Sequence, residues 1–274
     1  MKLRSLIAIA ALAIGTTASH ATEFINVLTG GSSGVYYPLG VSLTQIYGKV
    51  MPDAKMSVQA TKASAENLNL LQAGKGEIAF TLGDTLSEAW KGNADVGFKA
   101  PLNKLRTVAA IYSNYIHFLA AEDSGIKSLD DLKGKRVSVG APKSGTELNT
   151  RDILKAAGMS YQDFAKVEYL GYAESVELMK NRQLDATILS SGLGVAAVRD
   201  LATALKIVVI PLSAELVGKI GDAAYQTGTI PANTYNGQTA DVQTVLVPNY
   251  LVTHQGVSTD TVYKMTKSMA ENLD

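Results

Sequence analysis

The chain has 274 residues, with 25 basic and 25 acidic side chains and no cysteine. This length allows one large α/β domain or two smaller ones, each with its own hydrophobic core. The balanced charge argues against nucleic acid as the main partner, because phosphate binding requires a basic surface. The absence of cysteine excludes disulfide bonds, thiolate catalysis and cysteine metal sites.

The first 21 residues have the pattern of a secretory signal peptide. Lys2 and Arg4 precede an apolar run from Leu6 to Ile14, and Ser19-His20-Ala21 fits the small-residue rule for signal peptidase. The apolar run is shorter than the roughly 20 residues of a membrane helix, so an uncleaved membrane anchor is the weaker alternative. We therefore expect cleavage near Ala21 and an exported protein that works in the bacterial periplasm without ATP.

After residue 21, short apolar runs alternate with amphipathic segments, a pattern typical of α/β domains with largely parallel sheets. The sequence predicts, in order, a strand at 24–28, a helix near 39–50, a strand at 56–60, a helix at 64–73, a strand at 78–82 and a helix at 84–90. Two strand-like runs, 105–112 and 116–121, follow without a helix between them. A second series then predicts strands at 136–140, 166–170, 186–189, 207–210 and 242–250, and helices at 146–157, 174–181, 193–201 and 259–272.

Two series of elements joined by a crossing predict two lobes. We place lobe 1 at residues 22–118 together with 249–274, and lobe 2 at residues 119–248. The last predicted helix has no stop signal after Asn272. We therefore expect the natural chain to be longer, with lobe 1 truncated at its C-terminus.

A glycine-rich turn, TGGSSGVYYPLG at 29–40, connects the first predicted strand to the first helix. Glycine lets the backbone approach a ligand closely, and the first amides of a helix are unpaired donors with partial positive charge. The turn can therefore hold a carboxylate or a phosphate, with Gly31, Ser32 and Tyr36 as candidate contacts. The structural alternative is a tight corner in which Ser33 caps the helix. The spacing matches neither a Walker loop nor the GxGxxG of dinucleotide folds.

Other polar turns after predicted strands are also candidates, because ligands of parallel α/β sheets bind beyond the carboxyl ends of the strands. In lobe 1 these turns supply Thr61, Ser64 and Asp84. Ser64 is a good helix cap. Asp84 either caps the helix that follows it or receives a ligand ammonium.

In lobe 2 the candidate contacts are Ser144, Gly145 and Thr146, at the start of a predicted helix, and Ser190, which would line the floor of the cleft. Ser144 with Glu147 fits a capping box, in which each side chain satisfies an amide at the helix end. Gly145 and Thr146 still offer amides and a hydroxyl, so the same helix end can also hold a carboxylate.

Patterns of catalysis and metal binding are missing from the sequence. His117 and His254 stand alone in apolar runs, which is typical of structural histidines. There is no HExxH motif, no cluster of ligands at metal spacing and no GxSxG elbow. We therefore predict a protein that is not an enzyme and has no catalytic residue, metal or cofactor.

Several motifs between Phe24 and Asp274 resemble those of a known family. They are GGSSGVYYPLG at 30–40, TKASAENLNLL at 61–71, SLDDLKGKRVSVG at 128–140, SGT at 144–146, QLDA at 183–186 and IPANTY at 230–235. Together they resemble the TAXI-type solute-binding receptors of TRAP (tripartite ATP-independent periplasmic) transporters. The first and last motifs are the most specific.

The resemblance implies a type II periplasmic-binding-protein fold, in which two α/β lobes joined by crossing strands close on a ligand. It implies a small carboxylate ligand, with glutamate-like amino acids as the best-known example, and delivery to a TRAP-type membrane permease driven by an ion gradient. Family members usually continue for another helix or more, in agreement with the expected truncation. We expect a monomer that binds no nucleic acid.

Two alternatives stay open. The first is an exported enzyme on the same fold that acts on a small anionic substrate. Its nucleophile or base would come from Ser144, Asp84, Glu174 or Tyr36. The second is the receptor of an ATP-driven transporter or a sensor, which would share the fold but serve another membrane partner.

Overall fold

The computed structural model describes residues 22–272, so the predicted signal peptide lies outside the described residues. Within this range the strands are β1 (Phe24–Leu28), β2 (Lys55–Gln59), β3 (Ile78–Leu82), β4 (Leu105–Ala121), β5 (Arg136–Ser138), β6 (Lys166–Glu168), β7 (Ala186–Ser191), β8 (Ile207–Ile210), β9 (Gln226–Ile230) and β10 (Val242–His254). The helices are α1 (Tyr36–Val50), α2 (Ser64–Gln72), α3 (Gly83–Lys91), α4 (Gly145–Ala156), α5 (Tyr172–Lys180), α6 (Ala196–Ala204), α7 (Ala214–Ile220) and α8 (Thr259–Ala270). Among residues 22–272, no helix is long and apolar enough to cross a membrane.

These strands form one sheet in the order β2-β1-β3-β10-β4-β7-β5-β6, with β8 beside β4 and β9 beside β10. The strands β1, β2 and β3 run parallel, as do β5, β6 and β7. Between these two groups lie β4 and β10, which pair antiparallel with each other and with their neighbours β7 and β3. The predicted α/β fold with crossing strands is confirmed.

The strand β4 is continuous where the sequence predicted two separate runs. Its first part pairs with the end of β10 that lies beside β3, and residues 115–121 pair with β7 and β8. The polar residues Ser113 and Asn114 interrupt the apolar pattern, yet they continue the ladder opposite Pro248 and Val247 of β10. The chain therefore changes neighbours within a single strand. We call the half of the sheet with β1–β3 lobe 1 and the half with β5–β7 lobe 2.

Helices cover both faces of the sheet in each lobe. In lobe 1, α1 and α8 pack on one face and α2 and α3 on the other. In lobe 2, α4 and α7 pack on one face and α5 and α6 on the other. This arrangement buries both faces of the parallel strands, so every residue of β3 and β7 is buried.

Two elements of lobe 2 escape the sequence pattern. The strand β9 has only Ile230 fully buried, so its sequence shows no apolar alternation. The helix α7 has seven residues and contains Gly218, which makes it too short for a helical period to emerge.

The helix α1 packs so closely on the sheet that one position has no room for a side chain. A Cβ atom on Gly40 would lie 2.5 Å from Cγ2 of Thr29, which is itself fully buried. The same helix contains Gly48, where a Cβ atom would meet only Cγ of Met56 at 3.9 Å.

We expect Gly40→Ala to lower the free energy of unfolding by about 1–3 kcal/mol, because overpacking displaces buried groups. Gly48→Ala is the matched control, and it should raise the free energy of unfolding by about 0.5–1 kcal/mol because glycine weakens a helix. Urea titrations of the two variants measure both values. Equal effects at the two positions would contradict the close contact at Gly40.

Candidate ligand-binding cleft

A cavity of about 520 Å³ lies between the two lobes. Lobe 1 lines it with residues 30–36 and 61–64, and lobe 2 lines it with residues from 141–146 and 171–174. The crossing strand β4 and the end of β7 form its floor. The cavity therefore lies where the carboxyl ends of the parallel strands of both lobes meet, as expected for this type of sheet.

Nine of the ten predicted contact residues line this cavity, and only Asp84 does not. The nine are Gly31, Ser32, Tyr36, Thr61, Ser64, Ser144, Gly145, Thr146 and Ser190. They come from four separate turns, which only the folded sheet brings together. Their contact with a ligand stays a prediction.

The helix α1 begins at the cavity without a side-chain cap. Its N-cap residue is Val35, so Ser33 does not cap the helix as the structural alternative supposed. Because the first amides of a helix have no partner within the helix, those of Tyr36 and Tyr37 remain as donors. Tyr36 is buried and stacks on Phe80, with ring centroids 5.0 Å apart.

The helix α4 begins at the opposite side of the cavity. Its cap is Ser144, whose Oγ accepts a hydrogen bond from the amide of Glu147 at 3.2 Å. Glu147 does not complete the predicted capping box, because its carboxylate pairs with Arg151 at 2.6 Å. The amides of Gly145 and Thr146 are therefore left for another acceptor, at the positive end of the helix.

Thr61 and Ser64 hold the second turn of lobe 1 in place. The hydroxyl of Thr61 donates to the carbonyl of Thr29 at 2.8 Å, and Oγ of Ser64 accepts from the amide of Leu82 at 3.2 Å. Ser64 is therefore not the predicted helix cap. The N-cap of α2 is Ala63, with φ of 71°. A left-handed conformation of this kind is costly for a residue with a side chain and is common at ligand sites.

The floor of the cavity contains a network that the sequence analysis missed. Asn249 of β10 accepts a hydrogen bond from the hydroxyl of Tyr36, and its Nδ2 donates to Oδ1 of Asn114 at 2.8 Å. Nδ2 of Asn114 in turn donates to the carbonyl of Ser190 at 2.7 Å and lies 3.2 Å from Oγ of Ser190. The amide side chains are buried, and they connect lobe 1 to lobe 2 through both crossing strands.

Tyr172, at the start of α5, extends this network into lobe 2. Its hydroxyl donates to the carbonyl of Ser190 at 2.6 Å and shares a hydrogen bond of 2.7 Å with the hydroxyl of Thr146. The sequence does contain a signal for this network. Asn114 and Asn249 are polar residues inside apolar strands, and a buried amide side chain requires a hydrogen-bond partner.

Two hydroxyl groups on the floor remain able to donate. The hydroxyl of Tyr112 is buried and has no hydrogen-bond partner among residues 22–272. Oγ of Ser190 accepts from Asn114, so its own proton is not used in that bond. Burial raises the pKa of Tyr112, which keeps the phenol protonated as a donor at neutral pH.

Asp84 lies outside this cavity, which corrects its assignment to the cleft. It is the second residue of α3, whose N-cap is Leu82, so it does not cap the helix either. Its carboxylate is buried and accepts hydrogen bonds from Nδ2 of Asn149 at 2.7 Å and from the hydroxyl of Tyr225 at 2.9 Å. The first turn of α3 directs the side chain to α4, and no local sequence pattern specifies that direction.

The groups considered for catalysis are engaged elsewhere. Ser144 caps α4, Tyr36 donates to Asn249, and Glu174 accepts from the amide of Gly171 at 3.3 Å. His117 is buried in lobe 2, where Nε2 lies 2.8 Å from the hydroxyl of Tyr235. Burial lowers the pKa of His117 to about 4, so it is neutral at physiological pH.

The chain is similar to a known protein family and to several solved structures. The chain matches the NMT1-like family over residues 27–274. PhnD1 from Prochlorococcus marinus, in complex with methylphosphonate, has a TM-score of 0.61 at 10% identity, over 92% of this chain and 85% of that chain. An ancestral arginine-binding protein bound to arginine has a TM-score of 0.57 at 15% identity, over 92% and 93%.

A third similar structure is the alkanesulfonate-binding protein SsuA from Xanthomonas axonopodis pv. citri bound to MOPS. Its TM-score is 0.54 at 15% identity, over 91% of this chain and 72% of that chain. At these identities the similarity establishes the fold, which is that of periplasmic binding proteins.

We expect Asn249→Ala to lower the free energy of unfolding by about 2–6 kcal/mol. The substitution leaves the hydroxyl of Tyr36 and Oδ1 of Asn114 buried without a partner, at about 1–3 kcal/mol each. Asn69→Ala is the control, because Asn69 is exposed on α2 and bonds only to its own helix. Its effect should stay within about 0.5 kcal/mol. Denaturant titration measures both, and a small effect at Asn249 would contradict the proposed network.

Proposed function

The chain belongs to the NMT1-like family and has the fold of periplasmic binding proteins. On these premises we propose that it is an extracytoplasmic solute-binding protein that captures a small organic anion, a glutamate-like amino acid or another carboxylate. It would act in the periplasm and deliver the ligand to a TRAP-type permease driven by an ion gradient. The motifs that resemble TAXI-type receptors support the choice of permease.

One observation carries the proposal: two helix N-termini, one from each lobe, converge on one cavity. The amides at the start of α1 come from lobe 1, and those of Gly145 and Thr146 come from lobe 2. The hydroxyls of Tyr112 and Ser190 add donors from the floor. A carboxylate that accepts hydrogen bonds from donors of both lobes would stabilise contact between the lobes.

The charge of the cavity favours an anion whose remaining atoms are neutral. Among its lining residues the only charged side chains are Lys62 and Glu174, and both are exposed at the rim. With Asp84 outside the cavity, the ammonium of an amino acid would depend on Glu174 or on neutral acceptors. Tyrosine rings and the side chains of Val35 and Leu82 supply apolar surface for the ligand body.

The lobes touch each other directly around the cavity. The amide of Glu66 donates to the carbonyl of Lys143 at 3.2 Å, and the amide of Ala197 donates to the carbonyl of Ser33 at 3.4 Å. These backbone contacts require the closed arrangement of the lobes. A ligand that binds both lobes would favour this arrangement over an open one through its differential contacts.

A thermal-shift screen tests the ligand class. At about 100 times its dissociation constant, a true ligand should stabilise the protein by about 2.7 kcal/mol. The panel contains amino acids, mono- and dicarboxylates, sulfonates and phosphonates, with the neutral amide of each carboxylate as its control. A carboxylate should act and its amide should not. If no carboxylate shifts the transition, the proposed function is wrong.

Two further measurements separate the alternatives. Mass spectrometry after incubation should recover the ligand chemically unchanged, whereas turnover would indicate an enzyme. Transport into proteoliposomes that contain the partner permease should require an ion gradient and no ATP. A requirement for ATP would assign the protein to an ATP-driven transporter.

We expect Gly145→Ala to weaken ligand binding by about tenfold or more, because a Cβ atom there would lie 2.5 Å from Cδ1 of Leu82 and 2.6 Å from Oγ of Ser64. Both contacts cross from lobe 2 to lobe 1, so the added methyl group opposes closure. Gly171→Ala is the matched control in the same cleft, since its Cβ atom would come no closer than 3.9 Å to Oε2 of Glu174. Calorimetric titration measures both affinities. Unchanged binding by Gly145→Ala would show that closure at this contact is not required.

A further inference from the structure

A second contact between the lobes surrounds Asp84, away from the ligand cavity. Asp84 belongs to α3 of lobe 1 and is only 3% exposed. Its carboxylate is bonded to Asn149 and Tyr225 of lobe 2, and the hydroxyl of Tyr225 also lies 2.8 Å from Oδ2 of Asp152. The phenol oxygen therefore lies between two carboxyl groups, one from each lobe.

The number of protons in this cluster determines whether the contacts of the Tyr225 hydroxyl with Asp84 and Asp152 are both hydrogen bonds. The phenol has one proton, which it can donate to either Asp84 or Asp152 but not to both. If both carboxyl groups are ionised, one of the two contacts places a carboxylate against the lone pairs of the phenol oxygen. If one carboxyl group carries a proton, it donates to the phenol and both contacts are satisfied.

Asn149 also belongs to this cluster, because its Nδ2 lies 2.7 Å from Oδ2 of Asp84 and 3.1 Å from the hydroxyl oxygen of Tyr225. Its side chain is fully buried, and its Oδ1 has no hydrogen-bond partner among residues 22–272. The amide therefore supplies a donor to one lone pair of the Asp84 carboxyl group and to one lone pair of the phenol oxygen.

Charged and polar groups of α3, of α4 and of the segment formed by α7 and Asp222 surround this cluster. A second cavity of about 420 Å³ lies beside it, between the lobes. Thr85, next to Asp84, has its hydroxyl 3.3 Å from Oδ1 of Asp84. Arg151 of α4 is paired with Glu147. The other charged side chains that line this second cavity are Glu88 of α3, Lys155 of α4, Lys219 of α7 and Asp222.

We propose that Asp84, Tyr225 and Asp152 form a proton-dependent latch between the lobes. When the cluster holds one extra proton, the closed arrangement is favoured. When that proton is lost, the closed arrangement is weakened and ligand release is promoted. The role in release rests on the proposed function, whereas the latch itself concerns the lobes and requires no ligand.

Burial gives the direction of the pH dependence. It raises the pKa of Asp84 to about 7 in the closed arrangement, from an ordinary value of 3.8, and it also raises the pKa of Asp152. Opening returns Asp84 to water and to its ordinary pKa. Between these two values the closed form binds more protons than the open form, so acidification favours closure and a rise in pH through 7 opposes it.

The test measures closure in the ligand-free protein by fluorescence transfer between dyes on Lys104→Cys and Gln162→Cys. These two exposed positions lie in different lobes, and the chain has no other cysteine. The ratio of closed to open molecules should be up to about thirtyfold higher at pH 5.5 than at pH 8.5, from pKa values of about 7 and 3.8. Asp84→Asn should change its ratio by less than about threefold, because asparagine cannot ionise.

Asp130→Asn is the matched control, since Asp130 is 81% exposed and remote from the cluster, and it should retain the full pH dependence. Tyr225→Phe removes the hydroxyl that bridges Asp84 and Asp152 and should move the midpoint by about one pH unit. A purely packing role of Tyr225 would leave the midpoint unchanged, which would contradict the latch. So would an Asp84→Asn variant with the wild-type pH dependence, or a ligand-free protein that stays open at every pH.

The ligand screen and the closure measurement fail independently. If no carboxylate binds but closure depends on pH through Asp84, the latch is supported and the proposed function is wrong. If a carboxylate binds and closure is insensitive to pH, the proposed function is supported and the latch is wrong.

Discussion

Buried amides on the two crossing strands hold the cleft together. Asn114 and Asn249 bond to each other in the centre of the sheet, where an unpaired amide would cost about 1–3 kcal/mol. Each also bonds to one lobe, Asn249 to Tyr36 and Asn114 to Ser190. The side chains of this network are neutral and buried, so the floor of the cleft keeps one geometry. The walls of the cleft, in contrast, belong to separate lobes. The groups proposed to donate hydrogen bonds to the ligand are positioned relative to Asn114 and Asn249.

The chemistry of the cleft is that of neutral donors. Helix amides and hydroxyl groups face the cavity, and the buried carboxylate of Asp84 bonds to Asn149 and Tyr225 instead. Neutral donors stabilise an anion without an ion pair, because the amides at a helix end carry partial positive charge. This distribution supports the proposal that the cleft binds a carboxylate rather than a cation. If the ligand has an amino group, that group would be the least well recognised part of the molecule.

The lobes meet at two places with different chemistry. At the cleft the contacts are backbone hydrogen bonds and the tight approach of Gly145 to Leu82 and Ser64. At the second place the contact is a pair of carboxyl groups, buried Asp84 and half-buried Asp152, joined by Tyr225. Since one closing motion would form both contacts, a ligand and a proton that each favour closure would favour each other's binding. Such coupling would make capture of the ligand sensitive to the acidity of the compartment.

The sequence by itself determined the α/β class, most of the strands and helices, and the turns that line the cleft. These features depend on local patterns: apolar runs, helical spacing, and small polar residues after strands. It did not reveal that β4 is a single strand, because the signal at Ser113 and Asn114 resembles a break until β10 pairs with them. Only the tertiary structure decided the partners of Asn249 and the place of Asp84. Both depend on contacts between residues more than 60 positions apart, for which the chain carries no local pattern.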